Sequence, residues 1–385
     1  MIANPAGSTR FCQHPRISDI PAAEWDALFD PDYPFTRHAF LKALEDSGCV
    51  SSETGWQPCH LIQQDLAGKI TAAAPLYLKG HSYGEFVFDW SWAQASHRLG
   101  AHYYPKLLCA IPFTPSSGPR LGARDTASKR ALAEKLALLS APMNASSLHA
   151  LFADIADADA LKAEGLLERF DVQFHWNNSG YASFDDFLMR MNAQKRKKIL
   201  RERRRIEETG LHFEVRPGNT LTEAEWAEIY TLYSNTYEER GQAPYLTLEF
   251  FLDYGRLSDT PLRLILAYDQ SVLVAVALTV QGGKTLYGRH WGAAERYHSL
   301  HFETCYYQGI ELCIREGLSR YDAGTQGEHK LARGFDPVLT RSMHQISEPR
   351  LAKAVAHFLH RETMLVQERH QNLVQHMPYR QSLEG

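Results

Sequence analysis

Apolar positions along the chain recur with two periods, and the change from one to the other marks out the elements. Trp25, Leu28 and Phe29 share one face of a helix over residues 22–29, and Phe40, Leu41 and Leu44 one face of a helix over 36–46. From Trp56 the period shortens. Residues 56–64 and 69–78 read as strands joined by the turn Asp65-Leu66-Ala67-Gly68, and 83–89 reads as a third strand. An aromatic-rich stretch over 90–108 and a Pro/Gly/Ser segment over 112–122 follow. Then come a helix at 125–139, a strand at 147–152, a helix at 155–164 and a strand at 167–176. The second half opens on one long charged helix, 184–209, ended by Gly210. A strand over 211–216 leads to an amphipathic helix over 222–239, with Trp226, Ile229, Tyr230 and Tyr233 spaced three and four apart. Strands at 262–268, 272–280 and 285–291, a helix at 302–316, a short strand at 320–323 and a terminal helix at 349–375 complete the pattern.

The hairpin His60–Tyr77 has a counterpart in the hairpin 264–280, each preceded by two helices and followed by a strand, a helix and another strand. Two copies of one unit explain this economically. The expected fold class is α/β with mixed sheets. The expected domains are residues 1–176, residues 177–348 carrying the active site, and a C-terminal helix and tail over 349–385. A length of 385 residues suffices for two cores.

A net charge of -4 excludes a polycation, so any nucleic-acid contact must come from a local patch. The six cysteines form no C-x-x-C pair, which fits a reducing compartment. Residues 1–10 lack the apolar core of a signal peptide, and no run of about 18 apolar residues occurs. The expectation is a cytoplasmic protein without membrane insertion.

Three segments carry candidate chemistry. The first is the basic stretch from Gln194 to Arg205, in which eight of twelve residues are Lys or Arg and one, Glu202, is acidic. On a helix these charges cover nearly the whole circumference and repel one another, leaving Ile199, Leu200 and Ile206 as apolar anchors. Lys195, Arg196, Lys197, Lys198, Arg201 and Arg204 are therefore candidates for holding donor phosphates. The structural alternative is a solvated face paired with Asp185, Glu207 and Glu208. The second segment, Tyr321 to Phe335, places Gln326, Glu328, His329, Lys330 and Arg333 beside Gly324 and Gly327, just after a short strand. Glu328 or His329 can take a proton from an amine, and Lys330 and Arg333 can hold negative charge. The third, Tyr287 to Gly292, sets Arg289 and Trp291 on one face of a strand and His290 on the other, with Arg289 a candidate for stabilising an oxyanion. Its structural alternative is an ion pair with Glu303 or Asp322. His298, His301 and Glu303 lack the second-shell pattern of a metal site, and no metal is expected.

The basic helix ending at Thr209-Gly210, the segment Ala323 to Lys330, and Arg333-Gly334-Phe335 with Thr340 and His344 downstream resemble the FemAB-like branch of the GNAT acyltransferase superfamily, over about residues 17–361. The resemblance implies tandem GNAT-like domains and transfer of an acyl or aminoacyl group to an amine acceptor. The donor would be acyl-CoA or aminoacyl-tRNA, a co-substrate rather than a tightly bound cofactor. No clear copy of the pyrophosphate-cradling loop of acetyl-CoA enzymes is present, which moves weight towards charged tRNA. The competing class is a non-catalytic GNAT-like module that binds RNA or a cell-wall ligand.

Overall fold

The computed structural model describes residues 9–294, 297–325 and 327–380. The chain forms two compact units. One comprises the chain up to Asp171 together with Thr340–Gln367, and the other Val172–Leu339 with the chain from Glu368 onward. The first half supplies strands β1 (Arg10–His14), β2 (Trp56–Pro58), β3 (His60–Gln64), β4 (Ile70–Ala74), β5 (Leu76–Lys79), β6 (Lys106–Cys109), β7 (Gly122–Ala123) and β8 (Ser147–Ala150). The rest of the chain supplies β9 (Leu167–Asn177), β10 (His212–Pro217), β11 (Leu262–Asp269), β12 (Val272–Gly282), β13 (Thr285–Ala293), β14 (Arg320–Asp322) and β15 (Asp336–Ile346). The helices of the first unit are α1 (Ala22–Asp26), α2 (His38–Asp46), α3 (Trp90–Arg98), α4 (Thr126–Ala137) and α5 (Ile155–Ala163). Further along lie α6 (Phe184–Arg190), α7 (Ala193–Glu207), α8 (Glu223–Glu238), α9 (Leu248–Gly255), α10 (Leu300–Phe302), α11 (Gln308–Glu316) and α12 (Pro349–Gln375).

In the first unit β1, β3, β4 and β7 form a four-stranded antiparallel sheet. Pro75, which has no N–H to give a ladder, separates β4 from β5. Strand β5 then joins a second sheet between β2 and β6, and β6 pairs in parallel with β8. Leu61, Ala72, Leu107, Leu132, Leu136, Leu148 and Leu161 form the core between sheet and helices. Asp125 and Asp154 cap α4 and α5 by accepting from the backbone N–H of Ser128 and Asp157. Helix α12 enters this unit because Leu351, Val355 and Leu359, four residues apart, pack on Trp92, Tyr103 and Ile346. The third strand expected at 83–89 does not form. The chain instead wraps the buried Lys106, whose Nζ donates to Ser82 Oγ (2.7 Å), Glu85 Oε2 (2.8 Å) and Asp89 Oδ2 (2.5 Å). On an extended strand positions 85 and 89 stand about 13 Å apart and cannot converge on one ammonium.

The second unit holds the sheet order β10–β11–β12–β13–β14–β9. Its pairs are antiparallel except β13 with β14, which run parallel. The single long helix expected over 184–209 is two helices. Met191 and Asn192 take extended backbone, and the Asn192 side chain caps α7 by accepting from Lys195 N–H. Of the three apolar anchors, Ile199 and Ile206 are buried but Leu200 is exposed, and the third buried position of α7 is Glu202. Between α10 and α11, Glu303–Tyr307 form a π-helical turn.

Two imidazoles face each other inside the first unit. His149 Nδ1 lies 2.7 Å from His344 Nδ1, and their other nitrogens meet Ser147 Oγ and Ser342 Oγ. A hydrogen bond between two Nδ1 atoms requires one of them to be bare, so the pair cannot be doubly protonated. Burial and the cations Lys106 and Arg169 push His149 down to about 3, and His344 falls well below its usual value through burial, His149 and Arg169. Below about pH 6.5 the unfolded chain takes up protons at these positions while the folded chain does not, so the folded state loses stability as pH falls. Urea unfolding is expected to show lower stability at pH 5 than at pH 7, with neither ring titrating above pH 5 by NMR. Either ring titrating near 6.5 would contradict this packing.

Candidate functional site

Strands β13 and β14 pair in parallel only through Thr285–Tyr287 and Arg320–Asp322. Beyond that point β13 continues to Ala293, while the chain after Asp322 leaves the sheet as the glycine-rich loop. A parallel pair that parts in this way opens a seat at the carboxyl end of the strands, where α/β folds hold ligands. Beside it a cavity of about 200 Å³ is lined by Thr236, Glu239, Trp291, Ala293, Ala294, Tyr297, Leu300 and His301. Trp291 and His301 form its aromatic wall, their rings 5.2 Å apart and edge to face.

The loop is held from below. Gly324 and Gly327 have φ of 79° and 104°, a region that favours glycine. At Gly327 a Cβ would also collide with the His329 imidazole, 2.0 Å from its Cε1. Lys330 is 2% exposed, and its Nζ donates to the carbonyls of Ala323 (2.8 Å) and Gly324 (2.6 Å). Burial lowers this amine to about 8, with Asp322 opposing the fall. Arg333 is equally buried, and all three of its nitrogens donate. Its Nη2 donates to both Glu202 oxygens (2.9 and 3.0 Å), its Nε to Tyr307 Oη (3.0 Å) and its Nη1 to the His329 carbonyl (2.8 Å). The guanidinium lies 3.5 Å from the centre of the Phe302 ring. Lys330 and Arg333, read from the sequence as ligands for donor charge, therefore have their donors committed inside the protein and act as struts of the loop.

The two candidate bases are placed differently. The Glu328 side chain is 59% exposed and pairs with Arg369 of α12 at 2.9 Å, not with Lys330 or Arg333. His329 stands half-buried, with Nε2 2.9 Å from Tyr306 Oη, and burial together with Arg333, Lys330 and Lys198 lowers its pKa. The imidazole is thus neutral at pH 7 and able to accept a proton. Its ring neighbours His301, itself lowered to about 4 by burial, His329, Arg333 and Lys330. His329 stands one ring away from the cavity wall. Arg289 and His290 lie half-buried on β13. Burial and the Arg289 cation bring His290 to about 3, and its ring meets Tyr233 edge to face. Of the acidic residues considered for Arg289, Glu303 pairs with Arg203, and Asp322 accepts from the Gly324 N–H and lies 3.7 Å from His175 Nε2. Gln326 lies outside the described residues.

Helix α7 is joined to this loop through Glu202 and Arg333, and Lys198 is near enough to His329 to depress its pKa. Lys195, Lys197, Lys198, Arg201 and Arg204 make no ion pair among the described residues. Lys197, Arg201 and Arg204 recur at four and three along one exposed stripe. Asp185, Glu207 and Glu208 do not neutralise it. Sequence reasoning passed over Tyr306 and Tyr307. The π turn lets these adjacent residues serve the site together, one on His329 and the other on Glu202 and Arg333, and no sequence periodicity marks such a turn. His298, His301 and Glu303 go to separate partners: Arg205 with Ser299, an aromatic cluster, and Arg203 with Gln308.

A family model, FemAB-like, described as peptidoglycan biosynthesis/recognition, matches residues 16–381. No curated protein matches the chain in sequence. Among solved structures, the chain is similar to the C-terminal domain of an Agrobacterium fabrum protein described as a lysylphosphatidylglycerol synthetase (8% identity, 88% of this chain and 94% of that one, TM-score 0.54). It is also similar to L-PGS from Bacillus licheniformis (10% identity, 92% and 99%, TM-score 0.51). A tandem GNAT protein from the clavulanic acid biosynthesis pathway aligns at 12% identity over 89% and 99%, TM-score 0.48. At these identities the likeness is one of fold. The chain has the fold class read from its sequence, α/β with mixed sheets and a C-terminal helix. No helix among the described residues is long and apolar enough to cross a membrane.

Removing one partner of a buried ion pair strands the other charge. Glu202→Ala is expected to lower the unfolding free energy by about 3–5 kcal/mol. Lys197→Ala, exposed and unpaired, is expected to change it by less than about 0.5 kcal/mol. Chemical denaturation of the two variants makes the comparison, and equal effects would contradict the assignment of Glu202 as the buried anchor.

Proposed function

Because the chain belongs to the FemAB-like family of peptidoglycan biosynthesis and recognition proteins, we propose that its second unit transfers an acyl or aminoacyl group directly onto an amine. The observation that carries this reading is a neutral imidazole, His329, held by Tyr306 beside a small cavity and flanked by cations of α7 that have no acidic partner. The acceptor nitrogen attacks the donor's ester or thioester carbonyl carbon. A C–N bond forms, the C–O or C–S bond breaks, and the amine proton passes to His329 and on to the leaving group. His329 Nδ1 makes no hydrogen bond among the described residues and is the nitrogen available for this proton, while Nε2 is held by Tyr306. Arg289, on the strand that parts from β14, is the residue proposed to face the developing oxyanion. Trp291 and His301 bound the cavity that takes the transferred group, and His290 backs the strand. Glu328, on its exposed ion pair, is the weaker choice for the base.

Lys197 to Arg204 spans about 10 Å along the helix at 1.5 Å per residue. A stripe of that length suits an extended polyanion better than a single pyrophosphate. That favours aminoacyl-tRNA over acyl-CoA as the donor, with a peptidoglycan-precursor amine as acceptor.

Transfer is measured with panels of aminoacyl-tRNAs and acyl-CoAs against amine-bearing peptidoglycan precursors. His329→Ala is expected to lower turnover by about a hundredfold or more, the range for a lost general base. Glu328→Gln is expected to stay within a few-fold of the parent. Donor binding is expected to weaken with salt, and Ala at Lys197, Lys198, Arg201 and Arg204 together is expected to flatten that dependence. A His329→Ala variant of undiminished rate removes this site. Donor or acceptor binding without transfer from any donor makes the chain a recognition module.

A further inference from the structure

A second pocket of the same unit, about 620 Å³, is lined by Asn177, Ser179, Tyr181, Met189, Arg190, Asp336, Tyr379 and Arg380. Its volume falls within the usual range for small-molecule sites. The assignment of the transfer site uses none of these residues.

The pocket is built on a short antiparallel pairing of the chain after α12 with the break between α6 and α7. Asn192 N–H donates to the Pro378 carbonyl (2.8 Å), Arg380 N–H donates to the Arg190 carbonyl (2.9 Å), and Met191 faces Tyr379. That register sets Arg190 directly opposite Arg380. Both arginine side chains line the pocket, and like charges brought together there repel. Neither guanidinium has an ion-pair partner among the described residues. Two cations on one pocket without an ion-pair partner suit an anion that both can hold, and a carboxylate accepts from two arginines at once.

The same pocket holds one carboxylate. Asp336 is half-buried, accepts from Asn177 Nδ2 at 2.7 Å, and makes no ion pair with either arginine. Burial raises its pKa, the direction that a bound cation would reverse. The walls between the charges are rigid and partly apolar. Tyr181 packs on Trp176 and Phe187, and Tyr379 is fixed by donating to the Gly334 carbonyl at 2.6 Å.

We propose that this pocket binds a small zwitterion, a free amino acid or dipeptide, with its carboxylate bridging Arg190 and Arg380 and its ammonium on Asp336. The site is separate from the transfer site and independent of the function assigned to it. It nevertheless touches both ends of that frame: the break before α7, and Gly334, where the loop carrying His329 ends. Occupancy would brace both.

Calorimetric titration with alanylalanine, its C-terminal amide and its N-acetyl form tests the proposal on the full chain. The free dipeptide is expected to bind, and the amide and the N-acetyl form to bind about tenfold or more weakly, as loss of a charged hydrogen bond implies. Arg190→Ala is expected to remove the preference for the acid over the amide, and Asp336→Asn the preference for the free amine. Both sites are exposed or half-exposed, and unchanged melting curves would show that the variants fold. His329→Ala is expected to leave binding unchanged, separating this pocket from the transfer site. Equal affinity for the acid and the amide, or no binding of any of the three, overturns the proposal.

Discussion

The buried contact between Glu202 and Arg333 fixes the geometry of the second unit's site. A carboxylate 5% exposed and a guanidinium 2% exposed meet through two hydrogen bonds, with Tyr307 donating to one and accepting from the other. Desolvating both charges is costly, and only a fully bonded arrangement offsets it. That cost makes the arrangement specific: helix α7 and the glycine-rich loop can meet in one register. The basic residues on either side of Glu202 on the outer face of α7 are thereby brought beside the loop. The Arg333 guanidinium also holds the His329 carbonyl, so the candidate base is positioned by the same pair.

The positive character of the region follows from this economy. Lys330 and Arg333 are spent on carbonyls and on Glu202, and Arg203 is neutralised by Glu303 and Glu311. The remaining cations of α7 face solvent uncompensated. Burial, with the charges of Arg333, Lys330 and Lys198, lowers the His329 pKa. Buried cations that hold the loop and exposed cations without an ion pair thus have distinct places within two adjoining segments.

Much of this was legible in the sequence, and the exceptions share a cause. Helix α8 and the β11–β12 hairpin follow their apolar periods closely. Strand β15 was missed because three of the residues it buries, Thr340, Ser342 and His344, are polar and break the apolar period. The break at Met191–Asn192 was missed because charged helical residues run on both sides of it, and Asn192 declares itself only as a cap. The first unit's expected third strand gave way to a loop organised by one buried ammonium, Lys106. At the candidate site, the sequence could not rank Glu328 against His329, nor tell that Lys330 and Arg333 are buried. Burial of a charge depends on partners distant in sequence, and Glu202 and Arg333 are 131 residues apart.

The central claim is that the donor's carbonyl lies within reach of His329. Affinity labelling tests this without requiring the natural acceptor. A bromoacetyl group carried on a donor, either bromoacetylated aminoacyl-tRNA or bromoacetyl-CoA, alkylates a neutral imidazole held beside it, and peptide mass spectrometry locates the adduct. The expected result is a single major adduct on His329, suppressed by unlabelled donor. A major adduct in the first unit, or labelling of His329 that unlabelled donor does not suppress, would contradict the assignment.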